Sequence, residues 1–132
     1  MKYLLDTDTC VYFLNRIPAI VNKIESVPDE ELAVSCFTIA ELLYGAYNSE
    51  QFDKNIERIR FIEETITVAG FDRKAEECFA IIKSELKKSG KLLEDFDILI
   101  AAVAKSNEMV LVTNNTKHFE RIQGLKLENW ME

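Results

Sequence analysis

One histidine in 132 residues, His118, is too few for an imidazole relay or for zinc held by imidazole, so chemistry on this chain has to rest on carboxylates. Cysteine is scarce as well. Cys10, Cys36 and Cys78 are odd in number, far apart and set among apolar neighbours, which argues against a disulfide framework or a thiolate metal site and leaves them to pack the core. With four Gly and two Pro, and no repeat, low-complexity tract or polar linker, nothing divides residues 1–132, and a single domain is expected. The 48% hydrophobic content is enough for a full core. No apolar run approaches a membrane span and no charged segment precedes an apolar leader, so a soluble, cytoplasmic protein without membrane contact is expected. Basic residues are the minority: 16 Lys and Arg against 23 Asp and Glu leave a net charge of -7, which counts against phosphate-backbone binding. A local basic stripe, or cations held by carboxylates, can reverse that average.

What is present is an alternation of short apolar runs and helical periods. Lys2 to Leu5 reads as a buried strand, Cys10 to Asn15 as a short helix, and Pro18 opens a second helix to about Ser26. Leu32 to Ser35 is a second strand. Thr38 to Tyr47 and Phe52 to Glu63 are helical, and Ile66 to Ala69 is a third strand. Asp72 caps a long helix with Ala75, Phe79, Ile82 and Leu86 on one face, ending near Gly90. Asp95 to Ser106 is so apolar after its first turn that it must be nearly all buried. Met109 to Val112 is a further strand and Leu125 to Leu127 a short edge strand. Strands alternating with helices imply an α/β fold with a mostly parallel sheet covered on both faces.

In a parallel sheet the carboxyl ends of the strands share one edge, where ligands bind. Asp6 follows the first strand, Ser35, Thr38 and Glu41 follow the second, Thr113, Asn114 and Asn115 follow Val112, and Asp97 lies in the first turn of the buried helix. Most have an ordinary explanation. Thr38 and Glu41 form a capping box; Asp95 or Asp97 favours a helix start; Asn115 caps Thr116 to Arg121; Asp8 caps the helix at Cys10. Asp6 has none, because a strand-end carboxylate beside a buried sheet needs a partner and its loop contains no Lys or Arg. Magnesium supplies one: it takes oxygen ligands, keeps several waters, and needs only one or two direct carboxylates. Such an ion stabilises charge on a scissile phosphate and acidifies water. The reading requires that Asp6, Glu41 and Asp97 be gathered into one pocket.

Four blocks in order, Leu5-Asp6-Thr7-Asp8, Ser35 to Leu42 with Gly45, Asp97 to Ala102, and Val112 to Phe119, resemble the PIN domain, most closely the VapC-type toxins of prokaryotic toxin-antitoxin pairs. The likeness runs from Lys2 to about Trp130. It implies a three-layer α/β/α sandwich and a magnesium-dependent endoribonuclease, with manganese as a substitute, that cuts structured RNA such as tRNA or rRNA. It also implies a homodimer held inactive by a cognate antitoxin. Carried over by position, Asp6, Glu41 and Asp97 match the family's first three acids. Its fourth acidic position falls on Asn115, and Thr113 matches the polar residue beside it. The expected roles are direct metal contact for Asp6 and Asp97, orientation of water by Glu41, and placement of a water or substrate oxygen by Asn115.

Two other readings of the same residues stand beside this one. Leu4 to Thr9 also looks like the opening motif of haloacid dehalogenase-type phosphatases, with Asp6 as nucleophile and Asp8 as general acid/base. Against it, Asp95-Phe96-Asp97 opens a helix with no preceding strand. The other is a catalytically silent domain whose acidic rim docks a basic partner. For substrate grip, Lys83, Lys87, Lys88 and Lys91 cluster on one helix, and Lys54, Arg58 and Arg60 on another, where pairs such as Glu50-Lys54 are an ordinary alternative. Tyr44 and Tyr47 project near Glu41 and are placed either to stack on bases or to pack. Val11 to Leu14 and Leu42-Leu43 offer apolar surface to the core or to an antitoxin.

Overall fold

The computed structural model describes residues 2–132. The chain runs β1 (Tyr3–Leu5), α1 (Thr7–Leu14), α2 (Pro18–Glu25), a 3-10 turn, β2 (Leu32–Ser35), α3 (Cys36–Tyr47), α4 (Phe52–Thr65) and β3 (Thr67–Ala69). It continues through α5 (Arg73–Lys88), α6 (Asp95–Ser106), β4 (Val110–Val112), α7 (Thr116–Phe119) and β5 (Leu127–Glu128). The strands form one sheet in the order β3-β2-β1-β4-β5, and every pairing is parallel. β1 is central. The chain builds outward from it through β2 to β3, then crosses to β4 and β5 on the other side, so the strand order reverses beside the carboxyl end of β1.

Side chains alternate across each strand, and register carries that alternation across the sheet. Leu4 lies opposite Ala33 and Leu111, and these join Ile82 and Leu86 of α5 and Ile98 and Ile100 to Ala104 of α6 in one core. Leu5 lies opposite Val34 and Val112, and these join Cys10, Ile20, Ile39, Leu42, Ile59 and Ile62 in a second core under α1 to α4. Helices therefore cover both faces, as the strand and helix alternation predicts. α6 is the extreme case: Ile100 to Ala104 are at most 1% exposed.

Several boundaries differ from those read in the sequence, each for a capping or ladder reason. α1 starts at Thr7 rather than Cys10, because Asp6 is its cap and accepts the Thr7 N–H at 2.9 Å. α3 starts at Cys36 rather than Thr38, because Ser35 accepts the Thr38 N–H at 3.0 Å. α7 ends at Phe119, and the turns beyond it lead through Gly124, whose φ of +80° is in glycine's region. β5 is shifted to Leu127–Glu128, where Glu128 accepts from Thr113 N at 2.9 Å. Asp72 does cap α5, accepting from Ala75 N at 2.9 Å.

Candidate active site at the carboxyl edge of the sheet

Asp6 stands where β1 ends, with its N–H still bonded to Val112 of β4 at 2.9 Å. That backbone bond fixes where the carboxylate emerges. Oδ1 accepts from Thr7 N, and Oδ2 accepts from the Thr113 hydroxyl at 2.8 Å. Asp6 is 7% exposed and Thr113 is fully buried. The Thr113 oxygen also accepts from Asn115 N at 3.1 Å, and it lies 3.3 Å from Asp8 Oδ2. Asp8 takes the Asn114 N–H at 3.0 Å, so one carboxylate pair ties α1 to the loop after β4. Tyr12 and Asn129 hold the Asn114 side chain on the outer rim.

Glu41 reaches this edge from α3, and it does so without the capping box that the sequence predicts. Ser35, not Thr38, caps the helix, so Glu41 turns outward and accepts from the Thr7 hydroxyl at 2.5 Å. Thr7 spends its only proton on Glu41. In its 3.1 Å contact with Thr38 it is therefore the acceptor, and Ser35 in turn donates to Thr38 at 3.3 Å. Hydroxyls from β2, α3 and α1 line up behind a single oxygen of Glu41 and leave Oε2 free of that chain.

Asp97 sits in the first turn of α6, where Glu94 is the cap residue and makes no side-chain cap bond. Asp95, the other expected cap, pairs instead with Lys83 at 2.8 Å. Asp97 Oδ2 lies 2.8 Å from Nε2 of His118 in α7. The lone histidine, set aside in the sequence as too few for a relay, thus belongs to the site. The signal that could have found it was its place in the Val112 to Phe119 block, one residue before the buried Phe119 that anchors α7. Asn115 is exposed at the mouth and makes no side-chain cap bond for α7, contrary to the capping reading.

The electrostatics follow from this crowding. Burial pushes the Asp6 carboxyl up to about 7, and the charges of Asp8 and, less, Asp97 add to that, while the Thr113 hydroxyl and the Thr7 N–H pull the other way. Burial also raises Glu41, opposed by the Thr7 hydroxyl and helped by the Asp97 charge. The acids therefore sense one another. Among the described residues, however, no three His, Cys, Asp or Glu side chains close on one point in a metal-holding group. Glu41 is held by Thr7 and Asp97 by His118, each on a partner of its own, while the Asp97 charge reaches both Asp6 and Glu41. The carboxylates of Asp6, Asp8, Glu41 and Asp97 supply the oxygen donors that a cation could take at this edge. Among the described residues no cationic side chain is bonded to the buried Asp6, and the donors are hard oxygens.

A parallel α/β sheet with carboxylates presented at its strand-order switch defines a class of acid-based site. The PIN domain model matches residues 3–125. Ribonuclease VapC2 of Haemophilus influenzae is 39% identical over 131 residues, covering 99% of each chain. The tRNA(fMet)-specific endonuclease VapC of Shigella flexneri is 34% identical, covering 98% of each. Among solved structures, VapBC2 from Rickettsia felis bound to a DNA fragment from their promoter superposes with a TM-score of 0.91 at 33% identity, covering 98% of this chain and 99% of that one. The chain belongs to the PIN domain family, in its VapC branch of ribonucleases. Neither the phosphatase nor the silent-domain reading finds support in these relatives.

Proposed function

We propose that this chain is a divalent-cation-dependent endoribonuclease, the toxin of a VapBC-type pair, acting on structured RNA such as tRNA in the cytoplasm as one PIN domain spanning 1–132. The observation that carries it is the buried carboxylate of Asp6 at the strand-order switch, raised by burial and by the charges of Asp8 and Asp97. Magnesium, or manganese in its place, fits the oxygen donors of Asp6 and Asp97. Bound there, it supplies charge stabilisation at the scissile phosphate and a more acidic water.

The chain's own residues do the rest. Thr113 and the Thr7 N–H fix the Asp6 oxygens, so the carboxylate needs no rearrangement to act. Thr7 occupies Oε1 of Glu41 and leaves Oε2 to take the proton of the attacking water, a task its raised pKa favours. Asn115, exposed at the mouth, is placed to hold a phosphate oxygen through its side-chain amide. Tyr44, one turn beyond Glu41 on α3 and 73% exposed, is free to stack on a base rather than pack the core.

Two relatives carry names that specify tRNA(fMet), and several neighbours are toxin-antitoxin complexes, which supports tRNA as substrate and a cognate antitoxin as partner. A cleft of about 440 Å³ offers that antitoxin the apolar side chains of Phe13, Leu14, Val21 and Phe61 beside the mixed charges of Lys54, Arg58, Glu25 and Glu57. The homodimer remains part of this proposal.

The test is cleavage of end-labelled tRNA with magnesium. Asp6→Asn and Asp97→Asn are each expected to lower the rate by about 100-fold or more with unchanged circular dichroism, as is removal of the metal with EDTA. Undiminished cleavage by either variant contradicts the assignment.

A further inference from the structure

We propose that His118 is a positioning residue that holds Oδ2 of Asp97, so that Oδ1 is the oxygen Asp97 presents to the site cation; this rests on the nuclease reading above. The two side chains meet at 2.8 Å across the gap between α6 and α7. Among the described residues Asp97 has no other side-chain partner, since the start of α6 has no side-chain cap bond and Lys83 is taken by Asp95. Without His118 its carboxylate would turn freely in the first turn of the helix.

His118 is itself fixed. α7 is a single turn whose next residue, Phe119, is 1% exposed, and the two rings meet edge-on at 5.4 Å. The imidazole is therefore aimed by the core and not by solvent. Nε2 donates both as imidazolium and as the tautomer that carries its proton there, so the contact does not depend on which is present. A ligating carboxylate that is hydrogen-bonded from behind is oriented for its metal, and losing such a partner costs 10–100-fold in affinity. His118 engages one oxygen of Asp97 as Thr7 engages one oxygen of Glu41, while Asp6 has both engaged, Oδ1 by Thr7 N and Oδ2 by Thr113.

Manganese binding to the RNA-free protein, measured by isothermal titration calorimetry, reads this directly. His118→Phe keeps the ring and its packing on Phe119 but removes the donor; His118→Gln keeps an N–H and gives up the ring. The Phe variant is expected to bind manganese at least about tenfold more weakly than wild type, with the Gln variant within about threefold of wild type. In tRNA cleavage at saturating manganese, KM for RNA should be unchanged in both. Wild-type manganese affinity in His118→Phe, or equal loss in both variants, overturns the proposal. Asp6→Asn and Asp97→Asn serve as controls: if these bind manganese like wild type, the nuclease reading itself fails, whereas their loss alongside an unaffected His118→Phe refutes only the role of His118.

Discussion

Asp6 carries the largest electrostatic imbalance at the site, and it gives the protein a measurable pH response. An aspartate in the unfolded chain titrates near 3.9, whereas Asp6 in the fold is raised to about 7 by burial and by its acidic neighbours. The folded state thus binds the proton more tightly than the unfolded state. Stability of the cation-free protein must then fall as pH rises from about 4 to about 7, and level off above. At about 1.4 kcal/mol per unit the loss is on the order of a few kcal/mol. Urea denaturation in EDTA at several pH values should show this slope in wild type. Asp6→Asn should flatten it and leave the variant more stable than wild type at pH 8. Parallel curves for the two proteins would show that Asp6 ionises without penalty.

At the level of elements, three helices end in the same hydrogen-bonded turn with different residues at its left-handed position. Gly90 follows α5 with φ of +70°, where Gly90 N bonds Lys87 O and Lys91 N bonds Leu86 O. Arg16 follows α1 and Glu108 follows α6 with φ of +57° and +55°, making the same pair of bonds. A Cβ in this region costs about 1 kcal/mol, so Glu108→Gly should raise the urea midpoint by roughly that much in free energy with an unchanged slope. A lower midpoint would mean that the turn prefers its side chain. The same distinction between local and distant interactions explains what was legible in the sequence. Tyr3-Leu4-Leu5-Asp6, Leu32 to Ser35 and Val110 to Thr113 announce strands that end in polar residues, because burial period and placement are local properties. The partner of each polar residue is not local. Ser35 and Thr38 are both competent caps three positions apart, and only the end of β2 decides for Ser35, which in turn releases Glu41 to Thr7. Asp97 meets His118 because α7 packs beside α6, a contact without a periodic signal.

For the whole molecule, the sheet order turns a chain of net charge -7 into one with its buried acid at a single edge, beside β1. Lys54 and Arg58 lie instead in the cleft between α1, α2 and α4, with the apolar side chains of Phe13, Leu14 and Phe61. Glu25 and Glu57 line the same cleft, so it is mixed in charge. A nuclease site on these acids would gain its positive charge from bound cations, and the cleft is a separate face that a protein partner could use. Anomalous scattering from crystals grown with manganese tests the arrangement most directly. A peak about 2.1 Å from a carboxylate oxygen of both Asp6 and Asp97 is expected, with His118 still bonded to the other oxygen of Asp97. Manganese bound only elsewhere, or no peak at this edge at millimolar manganese, would contradict a nuclease centre built on these acids.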